Sequence, residues 1–361
     1  MKQKSSSAII FSIFILCAMS LSATWQEDLV EYYPQPVMTN GANDAYYPSI
    51  VFDTGHFGED PGDNVGPGPE TYTEPPYYKM WFSNGSGCGF AYSADWISWS
   101  VSATPVTGLT SPHHVAVVYS GGSYYFWDWD TGELYSNSAI RYAYGSDGIT
   151  WSNDQATTGN LITGVSPDWN RGSYGPCQVF HNGSASNSGT NPFDYTFYMY
   201  FDSTTGGVEE TGLGYSANGV SWQLYGRVLP HGSSGDWDSS YASRGTVVQT
   251  GPAEWHMWYS GGQTRLHEGI GHATSTDGLN WNKDSGNPVW HISDGLSHRD
   301  SRTYTPWILY RQDRSSWPGD NTQFKGWFSA RSGSNPRTIC YLGGPWSPTG
   351  MPPQAVILSL I

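Results

Sequence analysis

The chain has 361 residues, with 44 glycines, 18 tryptophans, 25 tyrosines and a formal charge of −15. An acidic chain this poor in Lys and Arg is unsuited to nucleic acid or to an anionic membrane surface. Low charge with abundant Gly and aromatic residues points to tight turns and aromatic-rich strands, and all-β folds often use this many residues as one domain.

The first element in chain order is a leader. Lys2 and Lys4 precede an apolar run from Ala8 to Met19, and small residues follow at Ser20, Ser22 and Ala23. That layout predicts a secretory signal peptide over residues 1–23, with an apolar run too short to span a bilayer. Leu16 before Cys17 is a poor match to a lipoprotein cleavage site. Removing 1–23 takes away Lys2 and Lys4 and no acid, which moves the formal charge from −15 to −17. Residues 24–361 are expected to form a single domain, secreted or periplasmic. Cys88, Cys177 and Cys340 lie too far apart to define a disulfide framework or a metal-ligand spacing, and read as small buried residues.

One phrase then recurs along the chain. It reads Ser93-Ala-Asp95-Trp-Ile-Ser-Trp99, Ser146-Asp147-Gly148-Ile-Thr-Trp151, Ser216-Ala-Asn218-Gly219-Val-Ser-Trp222 and Ser275-Thr-Asp277-Gly278-Leu-Asn-Trp281. Asn-Gly and Asp-Gly tolerate the positive φ angles of tight hairpin turns, and the Trp after them opens the returning strand. In the first copy Trp96 stands where Gly is expected, so that turn is expected to differ. An aromatic strand lies upstream of each phrase, at 77–82, 124–129, 195–201 and 255–259, and an apolar strand lies upstream of that. A fifth unit starts at Pro306 and continues through Phe324 to Ala330, without a good copy of the phrase. Its outer strand has two candidate sources, residues 25–33 and the tail 355–361. Four-strand meanders repeated about five times predict an all-β fold, a five-bladed β-propeller of four-stranded antiparallel blades with almost no helix.

The fourth unit carries the fullest pattern: Asp236-Trp-Asp238, Met257-Trp-Tyr-Ser-Gly261, Gly269-Ile-Gly-His-Ala-Thr-Ser275, Asp277-Gly-Leu-Asn-Trp281 and Asn287-Pro-Val289. These phrases resemble the five-bladed propeller glycoside hydrolases, the broad group of arabinanases, xylosidases, invertases and mannoside phosphorylases, and are closest to its bacterial members. The likeness spans nearly the whole mature chain. It is specific for the fold and less so for an activity, because these residues build blades.

The resemblance implies three acids at one axial mouth: an Asp, commonly followed by Pro on the first inner strand, as base or nucleophile, a second Asp as pKa tuner and a Glu as acid. Here Tyr47 stands before Pro48 in the place of that Asp, and Asp44 is the nearest carboxylate. Propeller geometry assigns the acids Asp44, Asp168, Asp238, Asp300, Glu133, Glu209, Glu210 and Glu268 to the pocket face. Glycoside hydrolysis needs two carboxyls across the bond, one protonated and one ionised. Asp44 is then the expected base, Glu268 or Glu210 the acid, and Asp168 or Asp300 the tuner. Tyr47, His114, Trp169, Arg171, Tyr241, Arg244, Arg265 and Arg302 are the expected substrate-binding side chains, since Arg grips hydroxyls or a uronate and aromatic rings stack on sugar faces. No cofactor is expected; the resemblance leaves room for a central cation near His113 and His114. The expected partner is an oligo- or polysaccharide taken by a monomer, with no nucleic acid or membrane. The alternative is a non-catalytic propeller that binds glycan or protein and has lost the Asp-Pro pattern. A mouth lined by Tyr and Arg without a carboxyl pair would favour it.

Overall fold

The computed structural model describes residues 25–31, 35–53, 77–93, 95–130, 140–159, 172–205, 207–264, 267–310 and 322–343. The expected leader, Glu133, Asp168, Trp169, Arg171, Arg265 and the tail 355–361 lie outside them. Among the described residues the only α-helix is the single turn α1 (Trp25–Asp28), and no helix is long and apolar enough to cross a membrane.

Everything else that is regular is strand. The first antiparallel meander is β1 (Tyr46–Asp53), β2 (Tyr77–Ser83), β3 (Cys88–Ser93) and β4 (Ser100–Val101), and the second is β5 (Pro112–Ser120), β6 (Ser123–Asp130), β7 (Ile140–Gly145) and β8 (Ser152–Ala156). The short β9 (Thr158–Gly159) leaves the second meander and pairs in parallel with the outer strand of the third. The third comprises β10 (Gly172–His181), β11 (Phe197–Thr205), β12 (Val208–Ser216) and β13 (Ser221–Leu229). The next runs β14 (Tyr241–Gly251), β15 (Glu254–Gly262), β16 (Gly269–Ser275), β17 (Asn282–Lys283), with β18 (Trp290–His291) also on β16. The last contains β19 (Arg302–Tyr310), β20 (Phe324–Arg331) and β21 (Thr338–Leu342).

The open edge of β21 is covered by the start of the chain. Glu31 bridges Leu342 and Met38 bridges Ile339, while the Gln35 side chain bonds both backbone polar groups of Tyr341. Of the two candidate closing segments, the N-terminal one occupies this edge. α1 helps to fix it there: Asp28 accepts from the backbone N–H groups of Gln323 and Phe324, at 2.7 and 3.2 Å.

The core consists of clusters between successive meanders. Trp81 of β2 packs with Val117 and Phe126, Trp127 of β6 with Val179 and Phe201, Tyr200 of β11 with Val247 and Met257, and Trp258 of β15 with Ile308 and Phe328. A further cluster joins Trp327 and Tyr341 of the last meander to Tyr78 and Met80 of the first.

Hydrogen bonds repeat the same cyclic order. Trp81 Nε1 donates to the Gly148 carbonyl, Trp127 Nε1 to Gly219, and the Tyr200 hydroxyl to Gly278, so each second strand is pinned to the next unit's turn. Trp327 Nε1 donates to the carbonyl of Trp96, and this bond joins the last unit to the first. The turn at Trp96 does not differ from the others, contrary to the expectation from its sequence. Trp96 has φ 61°, beside 71°, 75° and 71° at Gly148, Gly219 and Gly278. Asp95 Oδ1 accepts from the N–H groups of Ile97 and Ser98, as Asp147, Asn218 and Asp277 do in their turns. That Asx bonding holds the backbone in the left-handed region, and burial of the indole offsets the strain.

Candidate active site at the axial mouth

The innermost strands β1, β5, β10, β14 and β19 surround a narrow axial cavity lined by Tyr47, His114, Cys177, Asp202, Arg244 and Thr305 among others. Each of these strands is bulged near the mouth, with register shifts after Tyr46, His113, Ser173, Ser243 and Tyr304. The residue at each bulge has positive φ: Tyr47 54°, His114 51°, Gly175 140°, Arg244 54° and Thr305 46°. Non-glycine residues adopt this region at a cost, and bulges of this kind re-aim side chains at functional sites.

At four of the five bulges the neighbouring second strand satisfies the N–H removed from the ladder. Ser329 Oγ accepts from Tyr47 N at 3.0 Å, Ser83 Oγ from His114 N at 3.2 Å, and Ser260 Oγ from Thr305 N at 2.7 Å. At the matching position on β11 the chain has Asp202, whose Oδ1 accepts from Arg244 N at 2.6 Å. On β6 the matching residue is Trp129. The bulge beside it is glycine because a Cβ there would lie 3.0 Å from the Cβ atoms of both His114 and Trp129.

Arg244 organises one side of the mouth. Its Nε and Nη2 donate to the two oxygens of Glu209 at 3.2 and 3.1 Å, Nε lies 3.6 Å from Asp202 Oδ2, and Nη1 bonds the Tyr47 hydroxyl. With one carboxylate oxygen of each acid so near Nε, those oxygens are no more than about 7 Å apart. Asp202 is 1% exposed, and Glu209's side chain 12%. Burial, and for Asp202 also the neighbouring Glu209, pushes their pKa values up to about 8 and about 7. One guanidinium balances one carboxylate, so the pair retains a proton well above the ordinary carboxylate range. Burial lowers Arg244 to about 9, which leaves it charged at neutral pH. His267 lies 3.4 Å from Glu209; burial, reinforced by the charges of Arg244 and Arg302, holds its ring neutral.

Aromatic rings fill the centre. Tyr47 packs on His114 with ring centroids 3.7 Å apart, and Tyr46, Tyr47 and Tyr304 form a buried cluster. Tyr46 shares a 2.5 Å hydrogen bond with His113, whose pKa burial lowers to about 4. Arg337 lies over the Tyr46 ring at 4.5 Å and binds Asp44 through both its backbone N–H and Nη1.

The structure thus brings Asp44, Tyr47, His114, Arg244 and Arg302 to one mouth, where Tyr241 also stacks on His267 at 4.6 Å. Glu209 joins them, while the other expected acids among the described residues are engaged with other partners. Glu210 follows Glu209 on β12 and by strand alternation points to the opposite face, where it binds Arg227 and His231. Glu268 is held by Thr264 and the Gln263 N–H, Asp300 is exposed and accepts from Gly333 N, and Asp238 pairs with Lys283 at 2.6 Å. Asp202, absent from the expected set, was marked by a departure from the repeat, an acid where three other units carry Ser83, Ser260 and Ser329. Among the described residues no three His, Cys, Asp or Glu side chains are grouped to hold a metal ion.

No protein-family model and no curated protein matches this sequence. Solved structures do match in fold. A structure described as a glycoside hydrolase aligns over 92% of this chain and 95% of its own, with TM-score 0.63 and 12% identity. A thermostable family-43 glycoside hydrolase aligns over 90% of this chain and 100% of its own, at TM-score 0.57 and 15% identity. An endo-1,4-beta-xylanase from Bacteroides thetaiotaomicron VPI-5482 covers 86% of this chain and 94% of its own, at TM-score 0.53 and 17% identity. The all-β architecture of antiparallel meanders around an axis is therefore one this chain shares with propeller-type glycoside hydrolases.

Proposed function

We propose that this chain is an exported glycoside hydrolase, secreted or periplasmic, built as one five-bladed propeller and acting on oligo- or polysaccharide at the axial mouth. The cyclic core clusters and the Trp327–Trp96 bond support five blades closed into a ring. The observation that carries the activity is the buried Asp202–Glu209 pair around a single guanidinium. A general acid must hold its proton near working pH, and burial beside a second carboxyl is one way to achieve this. Glu209, the more exposed of the two, would donate that proton to the glycosidic oxygen. Asp202, seated too deep to touch a sugar, would act as a positioning residue that holds Arg244 against Glu209. Asp44, held by Arg337 on the other side of the Tyr46–Tyr47 pair, would accept a proton from the attacking water, whose oxygen bonds the anomeric carbon. These assignments replace Glu268 and Glu210 as acid, and Asp300 as tuner.

A second reading, a propeller that binds glycan without cleaving it, is favoured by one specific feature. Tyr47 occupies the place of the expected Asp, and its hydroxyl is itself bonded to Arg244. Both readings are tested by assaying the mature protein against arabino-, xylo-, manno- and fructo-oligosaccharides alongside Glu209→Gln and Asp44→Asn. Hydrolysis predicts turnover by the wild type that falls about 10²–10⁴-fold in each variant while binding survives. Full activity in both variants would contradict the assignment. Saccharide binding without turnover would establish the second reading.

A further inference from the structure

Arg302, at the start of β19, forms no ion pair among the described residues, although the chain carries nearly twice as many acids as Lys and Arg. Its guanidinium lies over the Tyr304 ring at 5.9 Å, and its Nε is buried with no hydrogen-bond partner. Two more donors at the same mouth share that condition. The Tyr304 hydroxyl, on a residue only 1% exposed, and Nε of Arg337 are both buried and unpaired. So is His267 Nε2, on a residue 4% exposed. The three arginines Arg244, Arg302 and Arg337 all act electrostatically on the phenols of Tyr46 and Tyr304, so their charges converge on one place.

A buried donor without an acceptor costs about 1–3 kcal/mol, more when charged, so such a set is retained where a ligand completes it. A sugar hydroxyl would satisfy the hydrogen bonds and leave the charge of Arg302 uncompensated. An oxyanion satisfies both, and a guanidinium fork fits carboxylate and sulfate oxygens in pairs. We propose that the mouth selects an acidic saccharide, bearing a carboxylate or a sulfate ester, with the oxyanion held by Arg302 and Arg337. This specificity rests on the reading of the mouth as a saccharide site.

The test is calorimetric titration of the mature protein with four probes: a trigalacturonate, its methyl ester, a sulfated galactan trisaccharide and a neutral xylotriose. One of the two charged probes should bind at least about tenfold more tightly than the uncharged ones, the size expected of a charge-assisted hydrogen bond. Whichever charged probe wins identifies the oxyanion. The advantage should shrink with added salt, and the ratio of charged-probe to uncharged-probe affinity should fall to about one in Arg302→Gln. Arg302→Lys, which keeps the charge and loses the fork, should retain part of the advantage. Equal affinity for the charged and the uncharged probes, or a preference unchanged in Arg302→Gln, would overturn the proposal and leave the saccharide reading standing. Failure of all four probes to bind a folded wild type would overturn both. Inorganic sulfate binding as tightly as the sulfated sugar would show an anion site without saccharide selectivity, which also refutes it.

Discussion

Asp202 illustrates what a single residue can do where it departs from a repeat. Three units place a serine hydroxyl under the neighbouring bulge, and this unit places a carboxyl there, next to Glu209 and Arg244. The sequence held that signal as a mismatch in the repeat. Tyr47, His114, Arg244 and Arg302 were legible because they stand at the mouth ends of inner strands. The choice between Glu209 and Glu210 was not legible, since a one-residue change of register exchanges the two faces of a strand. The buried pair has a consequence for stability. Carboxyls whose pKa rises on folding bind more protons in the native state than in the unfolded one, so stability falls as pH rises from the unfolded to the folded pKa. The thermal midpoint should therefore decline between about pH 5 and pH 8. Asp202→Asn keeps an acceptor for the Arg244 N–H, removes one titrating group, and should flatten the decline. Thermal melts across that range check this, and an equally steep fall in the variant would place its origin elsewhere.

At the scale of elements, the turn phrase was legible in full and its one exception was not. Gly148 needs to be glycine twice over: its φ is 71°, and a Cβ would lie 2.7 Å from Trp81 Cζ2. Gly148→Ala should cost about 1–3 kcal/mol in urea unfolding, from backbone strain and displacement of the indole. Trp96 occupies the same backbone conformation, yet its ring is buried against Tyr78, with the Lys325 ammonium 3.8 Å from its centroid. Trp96→Gly would relieve the backbone and empty that space, a net loss of about 2–4 kcal/mol. A neutral or stabilising Trp96→Gly would mean that strain outweighs packing at this turn. Nothing local in the sequence could announce this, because two of the partners of Trp96, Lys325 and Trp327, come from the far end of the chain.

For the whole molecule, the repeated strand pattern made an all-β fold of antiparallel meanders legible, and left open which terminus covers the last one. That question is settled by packing at long range: Trp25 and Leu29 bury against the last meander's cluster with Ile308 and Phe328, and the segment after them lies along β21. The ring in turn explains why side chains from β1, β5, β10, β14 and β19 meet at one end although they are spread over some 260 residues of sequence. The central claim is that this axial mouth is the saccharide site. A crystal structure of Glu209→Gln with a bound acidic oligosaccharide tests it most directly. The account predicts a sugar ring against Tyr46 and Tyr47, its oxyanion on Arg302 and Arg337, and its glycosidic oxygen within hydrogen-bond reach of residue 209. A sugar bound instead on the opposite face, among the Asp-Gly turns, with the mouth empty, would contradict it.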